Sequence, residues 1–288
     1  PGTDVAVFTD YREMIASGRI DAVNDFTVHS LHHQVAEAAF AHGKHLLSQK
    51  PLAVSMEGAR RMVDGAEKAG VTFGVFENLR FAPWVRHQHW AFSGDGPVGP
   101  VQMTAMGNIG TWWAPDLVVA ETPWRHRLAE GGGMALDLGP HFFDLIRHIS
   151  GSEVVSVGAR TQIVEPVRWI LREGRKVEPV PCDADDTFYA HFSLASSAAG
   201  SMFGSWGGRG GNTVVGEGIV FYGAKGKATG DTLHLDGEEP QSLSARYEAD
   251  APAELKARHF PLGLQNDLAL AQLDWLRAVE RGGQPECS

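Results

Sequence analysis

The chain of 288 residues carries 35 acidic against 25 basic side chains, a net charge of −10, at 43% apolar content. That balance excludes nonspecific binding to nucleic acid and adhesion to anionic membranes, both of which need a positive field. No run approaches the ~20 apolar residues of a spanning helix, and Cys182 and Cys287 form no CxxC pair, so a soluble globular protein of a reducing, cytoplasmic compartment is expected, without a disulfide framework or thiolate metal site.

In chain order, Asp21–Phe26 reads as a short strand and Leu31–His42 as a helix, with Gly43 at its C-terminal stop. His45–Ser48 is a second strand. Ser55 caps a helix whose predicted buried face is Ala59, Met62, Val63 and Ala66, ending at Gly70; Val71–Phe76 is a third strand. Strands alternating with helices across short loops predict a parallel, doubly wound α/β unit over residues 1–79, with ligands at the carboxyl ends of its strands. Thr27, Lys50 and Asn78 each lie just past one of those ends. Residues 80–288 read as a second, α+β domain with a mostly antiparallel sheet. A helix runs roughly 82–92. Strand-like segments follow at Val101–Ile109, Val154–Val164, Val167–Arg172, Thr187–Leu194, Ser201–Trp206 and Ile219–Tyr222, and a last helix covers Leu264–Val279.

One stretch in the second domain stands apart: GGGMALDLGPHFFDLIRHISG, Gly131 to Gly151. On a helix starting near Asp137, Pro140 falls in the first turn, where proline is tolerated. Asp137, His141, Asp144 and His148 then share one face, and Leu138, Phe142, Leu145 and Ile149 form an apolar stripe beside it. The ionisable face suits either surface hydrogen bonding or a proton-transfer site. It has no strong third metal ligand nearby in sequence, so no metal is expected. The preceding glycines permit close approach of another backbone or a ligand. Trp112, Trp113 and Trp124 are candidates for a sugar-stacking platform, with core packing the alternative.

Three motifs together resemble the Gfo/Idh/MocA oxidoreductases. These are FTVHSLHHQVAEAAFAHGKHLLSQKPLA, the PWRH of Pro123–His126, and the GGG…D.G.H..D helix. The resemblance covers nearly the whole chain. It implies a Rossmann-type parallel sheet followed by an α+β domain with a large open, mostly antiparallel sheet, a cis Lys50–Pro51 bond, and association into a homo-oligomer through that sheet. It also implies hydride transfer between NAD or NADP and a carbinol of a sugar, polyol or related ring. By position, Lys50, Asp137 and His141 match the catalytic residues, while Thr27, His29, His32, Gln49, Lys50, Asn78, Trp124 and Arg125 match positions touching the dinucleotide. A cofactor-bound relative without turnover is the alternative. Arg80, Trp113 and His126, which neighbour these motifs, are candidates for setting substrate choice.

The departures are specific. No G-x-G-x-x-G turn precedes the first helix, the chain opens at Pro1, and it stops after GGQPECS; a parent extended at both ends is expected. Gln49 stands where the family usually has Glu, and His29 where it often has Asn. The glycines of GAKGKAT, Gly223–Thr229, mimic a phosphate loop but lack its first glycine, so they are read as a turn.

Overall fold

A computed structural model describes residues 5–110, 115–211 and 213–288. The chain divides into two compact units, Pro1–Glu77 together with Ala271–Ser288, and Asn78–Leu270.

In the first unit, a short helix α1 (Tyr11–Ala16), not expected from sequence, is capped by Asp10, which accepts the Arg12 N–H at 2.8 Å. Strands β1 (Ala22–Asp25), β2 (His45–Gln49) and β3 (Phe73–Phe76) form a parallel sheet in that order, joined through helices α2 (His32–Ala41) and α3 (Met56–Ala69). Helix α3 starts as predicted, with Ser55 Oγ accepting the Gly58 N–H at 3.1 Å, and ends at Gly70 with φ +65°. Its buried face is Gly58, Met62 and Ala66; Val63, expected inside, is 43% exposed. The i, i+4 ridge points one residue away from the predicted stripe. Ile15, Val35, Leu46, Met62 and Phe73 centre this unit's core.

The C-terminal residues were expected in the second domain, yet they pack on this first sheet. Thr72 Oγ1 donates to the Gly283 carbonyl at 3.0 Å, and the Val75 N–H donates to the Cys287 carbonyl at 3.0 Å. A Cβ on Gly74 would lie 3.1 Å from the Trp275 ring and 3.0 Å from Pro285. Burial of Trp275 against β3 therefore draws the end of the chain to the first unit.

The second unit contains, in order, α4 (Pro83–Ala91), β4 (Val101–Ile109), α5 (Met134–Ser150), β5 (Val154–Gln162), β6 (Val167–Arg172), β7 (Arg175–Pro181), β8 (Thr187–Leu194), β9 (Ala199–Ser205), β10 (Thr213–Gly223), β11 (Gly226–Thr229), β12 (Thr232–Leu235), β13 (Gln241–Ser242), α6 (Leu243–Asp250) and α7 (Ala253–His259). Helix α8 (Asp267–Arg281) spans the boundary between the units. Eight strands form one sheet, order β13-β12-β11-β10-β4-β9-β8-β5, antiparallel except for the β4–β9 pair. Strands β6 and β7 form a separate hairpin. Gly223 pairs with Gly226 across the β10–β11 turn, so the phosphate-loop mimic is a hairpin.

One sheet face is covered. Phe188, Phe192, Met202 and Phe221 pack with Leu145, Ile146 and Ile149 of α5 in the main core. The other face is open, and two glycines make room for rings on it. Phe203 lies over Gly107, where a Cβ would meet its ring at 2.1 Å, and His191 lies over Gly158, where a Cβ would come within 2.2 Å. Tyr189 stacks on Phe203 with ring centroids 5.6 Å apart, and Met103 and Val157 are exposed beside them.

Candidate functional site

Helix α5 begins at Met134 rather than near Asp137, and the cause is a residue the sequence reading did not single out. Asp185, in the connection before β8, takes the Met134 N–H on its carbonyl and the Ala135 N–H on its carboxylate, both at 2.9 Å. It thereby supplies two of the acceptors a helix N-terminus lacks. Burial pushes the Asp185 carboxyl up, against the pull of the Ala135 hydrogen bond. With the start moved back, Pro140 is interior, and the Leu136 carbonyl loses its helical donor.

The glycines before α5 admit backbone. Gly132 and Gly133 donate to the carbonyls of Arg127 and Arg125, both at 3.0 Å. A Cβ on Gly132 would sit 2.6 Å from the Arg125 oxygen. The PWRH turn is thus clamped against the start of the helix. Arg125 consequently reaches Asp137, donating from Nε to Oδ2 at 3.0 Å, while Asp137 is 5% exposed. The Arg125 guanidinium also lies 4.3 Å from the centre of the Trp124 ring and donates from Nη1 to Thr122 Oγ1 at 2.5 Å.

Three of the four residues on the ionisable face of α5 go to different neighbours. Asp137 takes Arg125. Asp144 takes Arg80, with Nε to Oδ2 at 3.0 Å and a second bond from Nη2 to Oδ1. His148 stacks on His89 at 4.6 Å, and burial above all, then the charge of His89, pushes its pKa down to about 2. His141 is half-buried on the same face, between Asp137 and Asp144 in sequence. Arg80 is therefore committed to Asp144.

His126 is also committed to structure. It is 2% exposed, and its Nε2 accepts the Val119 N–H at 3.0 Å. Burial, then the nearby Arg168 charge, pushes its pKa down to about 4. Neither Arg80 nor His126 faces outward as a free selector of substrate. Trp112 and Trp113 lie outside the described residues. Sequence reading also missed Arg168, fully buried and paired with Asp186 at 3.1 Å. The available signal was the acidic run DADD: Asp183, Asp185 and Asp186 each accept a backbone N–H.

In the first unit, Thr27 and Lys50 leave the carboxyl ends of β1 and β2. Buried Asp25 orders both strand ends. Its Oδ1 accepts from the Thr27 N–H at 2.9 Å and the Thr27 hydroxyl at 2.7 Å, and its Oδ2 accepts from Ser48 Oγ at 3.2 Å. His32 is fully buried, with Nδ1 2.8 Å from the Pro51 carbonyl and Nε2 3.2 Å from that of Thr27. It ties the two loops together. His29 is 4% exposed, with its ring 5.8 Å from that of His32. Lys50–Pro51 is cis, as the resemblance implies. The Gln49 side-chain oxygen accepts the Lys50 backbone N–H at 2.8 Å. In the second unit, Asn78 donates to Asp267. Among the described residues, no three His, Cys, Asp or Glu side chains are grouped to hold a metal ion, and no helix is long and apolar enough to cross a membrane.

Family models match both parts of the chain. Residues 2–77 match the oxidoreductase family, NAD-binding Rossmann fold, and residues 94–229 match the GFO/IDH/MocA C-terminal domain. The chain belongs to the GFO/IDH/MocA oxidoreductase family. Among this family's proteins it is 28% identical to D-xylose dehydrogenase of Paenarthrobacter nicotinovorans over 198 residues, 68% of this chain and 49% of that protein. It is 34% identical to 1,5-anhydro-D-fructose reductase of Ensifer adhaerens over 143 residues, 49% of this chain and 41% of that protein. The chain thus spans about half the length of these curated relatives. A solved structure of levoglucosan dehydrogenase in complex with NADH and L-sorbose superposes with a TM-score of 0.74 at 22% identity, covering 97% of this chain and 76% of that one. An oxidoreductase domain protein from Kribbella flavida superposes equally well, TM-score 0.74 at 23% identity, over 96% of this chain and 76% of the other. At that identity the superpositions establish a shared fold.

Proposed function

We propose that this GFO/IDH/MocA protein transfers a hydride between NAD or NADP and a carbinol or carbonyl carbon of a sugar, polyol or related ring. The observation that carries this is the Asp137–His141 pair on α5, with Asp137 held by Arg125. The names of the relatives, D-xylose dehydrogenase and 1,5-anhydro-D-fructose reductase, support the substrate class. Residues at the carboxyl end of the first sheet fit a dinucleotide. Phe26, 59% exposed just past β1, packs edge-on to Phe76 with centroids 5.4 Å apart and offers a flat apolar surface beside the Thr27 loop.

When bound, the nicotinamide supplies the hydride acceptor or donor. The rest falls to side chains. His141 takes the hydroxyl proton during oxidation and returns it during reduction, acting as general base and then general acid. Asp137, oriented by Arg125, holds the imidazole and balances its charge. Lys50, in the first unit, completes the proposed catalytic set by its place in the motif, its ammonium being suited to stabilising developing negative charge. The open sheet face of Met103, Val157, Tyr189 and Phe203 supports association with a second copy.

The test is reduction of NAD+ and NADP+ across a panel of sugars and polyols, with Lys50→Ala and His141→Ala beside the parent. Each variant should lose about 10²-fold or more in kcat. Dinucleotide binding without turnover on any substrate would favour the regulatory alternative.

A further inference from the structure

The segment between β4 and α5 contains a feature that hydride transfer leaves unused. Residues 117–121 and strand β6 line a half-open cavity of about 400 Å3, within the range of small-ligand sites. Leu117, Val118, Ala120, Glu121, Trp169, Ile170 and Leu171 line it. Glu121 is the one charged residue among the described wall residues.

Two observations mark the cavity as held in shape. First, its floor is tied on both sides. The Val118 N–H donates to the Trp169 carbonyl at 3.1 Å, and the Trp169 N–H donates to the Asp116 carbonyl at 2.8 Å. Arg168, itself fully buried, donates to the Leu117 carbonyl at 3.1 Å. Second, Ala120 and Glu121 occupy left-handed backbone in succession, with φ +50° and +57°. Non-glycine residues rarely adopt it, and such strain persists where neighbours over-determine it, often at ligand sites. Here His126 takes the Val119 N–H, and Thr122 donates to the Val119 carbonyl from both its N–H at 3.0 Å and its hydroxyl at 2.7 Å.

The same strained turn leads into the candidate catalytic residues. Thr122 follows Glu121 directly, receives a hydrogen bond from Arg125, and Arg125 bonds Asp137. The cavity and the start of α5 thus share one continuous hydrogen-bonded segment of the second unit.

We propose that this cavity is a subsite for a second sugar ring, so that the preferred substrates are glycosides or disaccharides rather than free monosaccharides. Its placement rests on the hydride-transfer reading above. An indole presents a flat apolar surface to the C–H face of a pyranose, and a carboxylate accepts hydrogen bonds from two of its hydroxyls. With Glu121 the one charged residue among the described walls, a phosphorylated sugar is disfavoured by like charge.

Calorimetric titration of the chain with cellobiose, maltose, methyl β-D-glucopyranoside, glucose and glucose 6-phosphate tests this. At least one disaccharide should bind tenfold or more tightly than glucose and the methyl glycoside, and the phosphate ester should bind no better than glucose. Trp169→Ala and Glu121→Gln should each remove that tenfold gain. Glu121 is exposed, so its isosteric change keeps the fold even where Trp169→Ala does not. Disaccharides that bind no tighter than glucose, a gain that survives Glu121→Gln, or loss of self-association in Trp169→Ala at unchanged sugar affinity would each overturn the subsite. Titration does not depend on turnover, so failure of the hydride-transfer reading shows separately, as full kcat in His141→Ala.

Discussion

Arg125 donates from Nε to Asp137 Oδ2 at 3.0 Å, joining the PWRH turn to the first turn of α5. Sequence motifs assign these two residues to different tasks, cofactor contact and catalysis. In the folded chain the carboxylate is buried and the arginine is its partner, so the two act as one unit. Arg125→Ala leaves a buried carboxylate oxygen without this donor and should cost about 1–3 kcal/mol, read as a lower urea midpoint at unchanged slope. Arg125→Lys should recover part of the stability, because the ammonium keeps the charge but not the fork geometry.

Gly132 is where the two backbones meet. A Cβ there would lie 2.6 Å from the Arg125 oxygen and 2.7 Å from the Trp124 oxygen. Neither backbone atom can swing away as a side chain could. Gly132→Ala should destabilise the second unit by roughly 1–3 kcal/mol and lower kcat together with stability, since the shift moves Arg125 away from Asp137. Thermal unfolding and steady-state kinetics on the same preparation check both.

His126 and His259 are buried and His148 is half-buried, with pKa values pushed down to about 4, about 3 and about 2 in that order, desolvation being the largest cause for each. Unfolded histidines take up protons near pH 6.5. Below that pH the unfolded chain binds more protons than the folded one, so stability falls with falling pH. For His126 the loss opens at pH 6.5 and is complete near pH 4, with a slope approaching about 1.4 kcal/mol per pH unit. Urea unfolding at intervals from pH 7.5 to 4 should show the falling midpoint. His126→Gln, whose amide oxygen can still accept the Val119 N–H, should flatten the slope; an unchanged slope would count against a neutral buried His126.

His32 should behave as a structural residue. His32→Ala opens a void and removes the imidazole that lies between the Thr27 and Pro51 carbonyls, which should cost about 1–3 kcal/mol. The effect belongs to the first unit, so hydrogen exchange should rise there and stay unchanged at α5.

The open sheet face should carry self-association. Tyr189→Asp places a charge on this face and should shift the sedimentation coefficient toward the monomer. Tyr189 is 45% exposed and faces away from the main core, so unfolding should move by no more than about 1 kcal/mol.

Much of the architecture was legible because it rests on local rules. Ser55 and Gly70 bound α3 through cap chemistry that involves only neighbouring residues. Strands β4, β6 and β8 match their predicted bounds, since alternation along a half-buried strand is written in the chain itself. The spacing of Asp137 and His141 on one helix face is likewise a local fact, whereas the cis Lys50–Pro51 bond was implied by the family resemblance alone.

Tertiary structure decided what these residues touch. The start of α5 depends on Asp185, which lies 50 residues downstream of the Ala135 amide it caps. Arg80 meets Asp144 across 64 residues, and Thr72 meets Gly283 across 211. The motif places His32 beside the loops after β1 and β2; only the packed chain shows it tying the two together through the Thr27 and Pro51 carbonyls. Periodicity and capping report on a residue's own turn of chain. Charge pairing, burial and the strained left-handed backbone at Ala120 and Glu121 are set by whichever distant segments the packed core brings alongside.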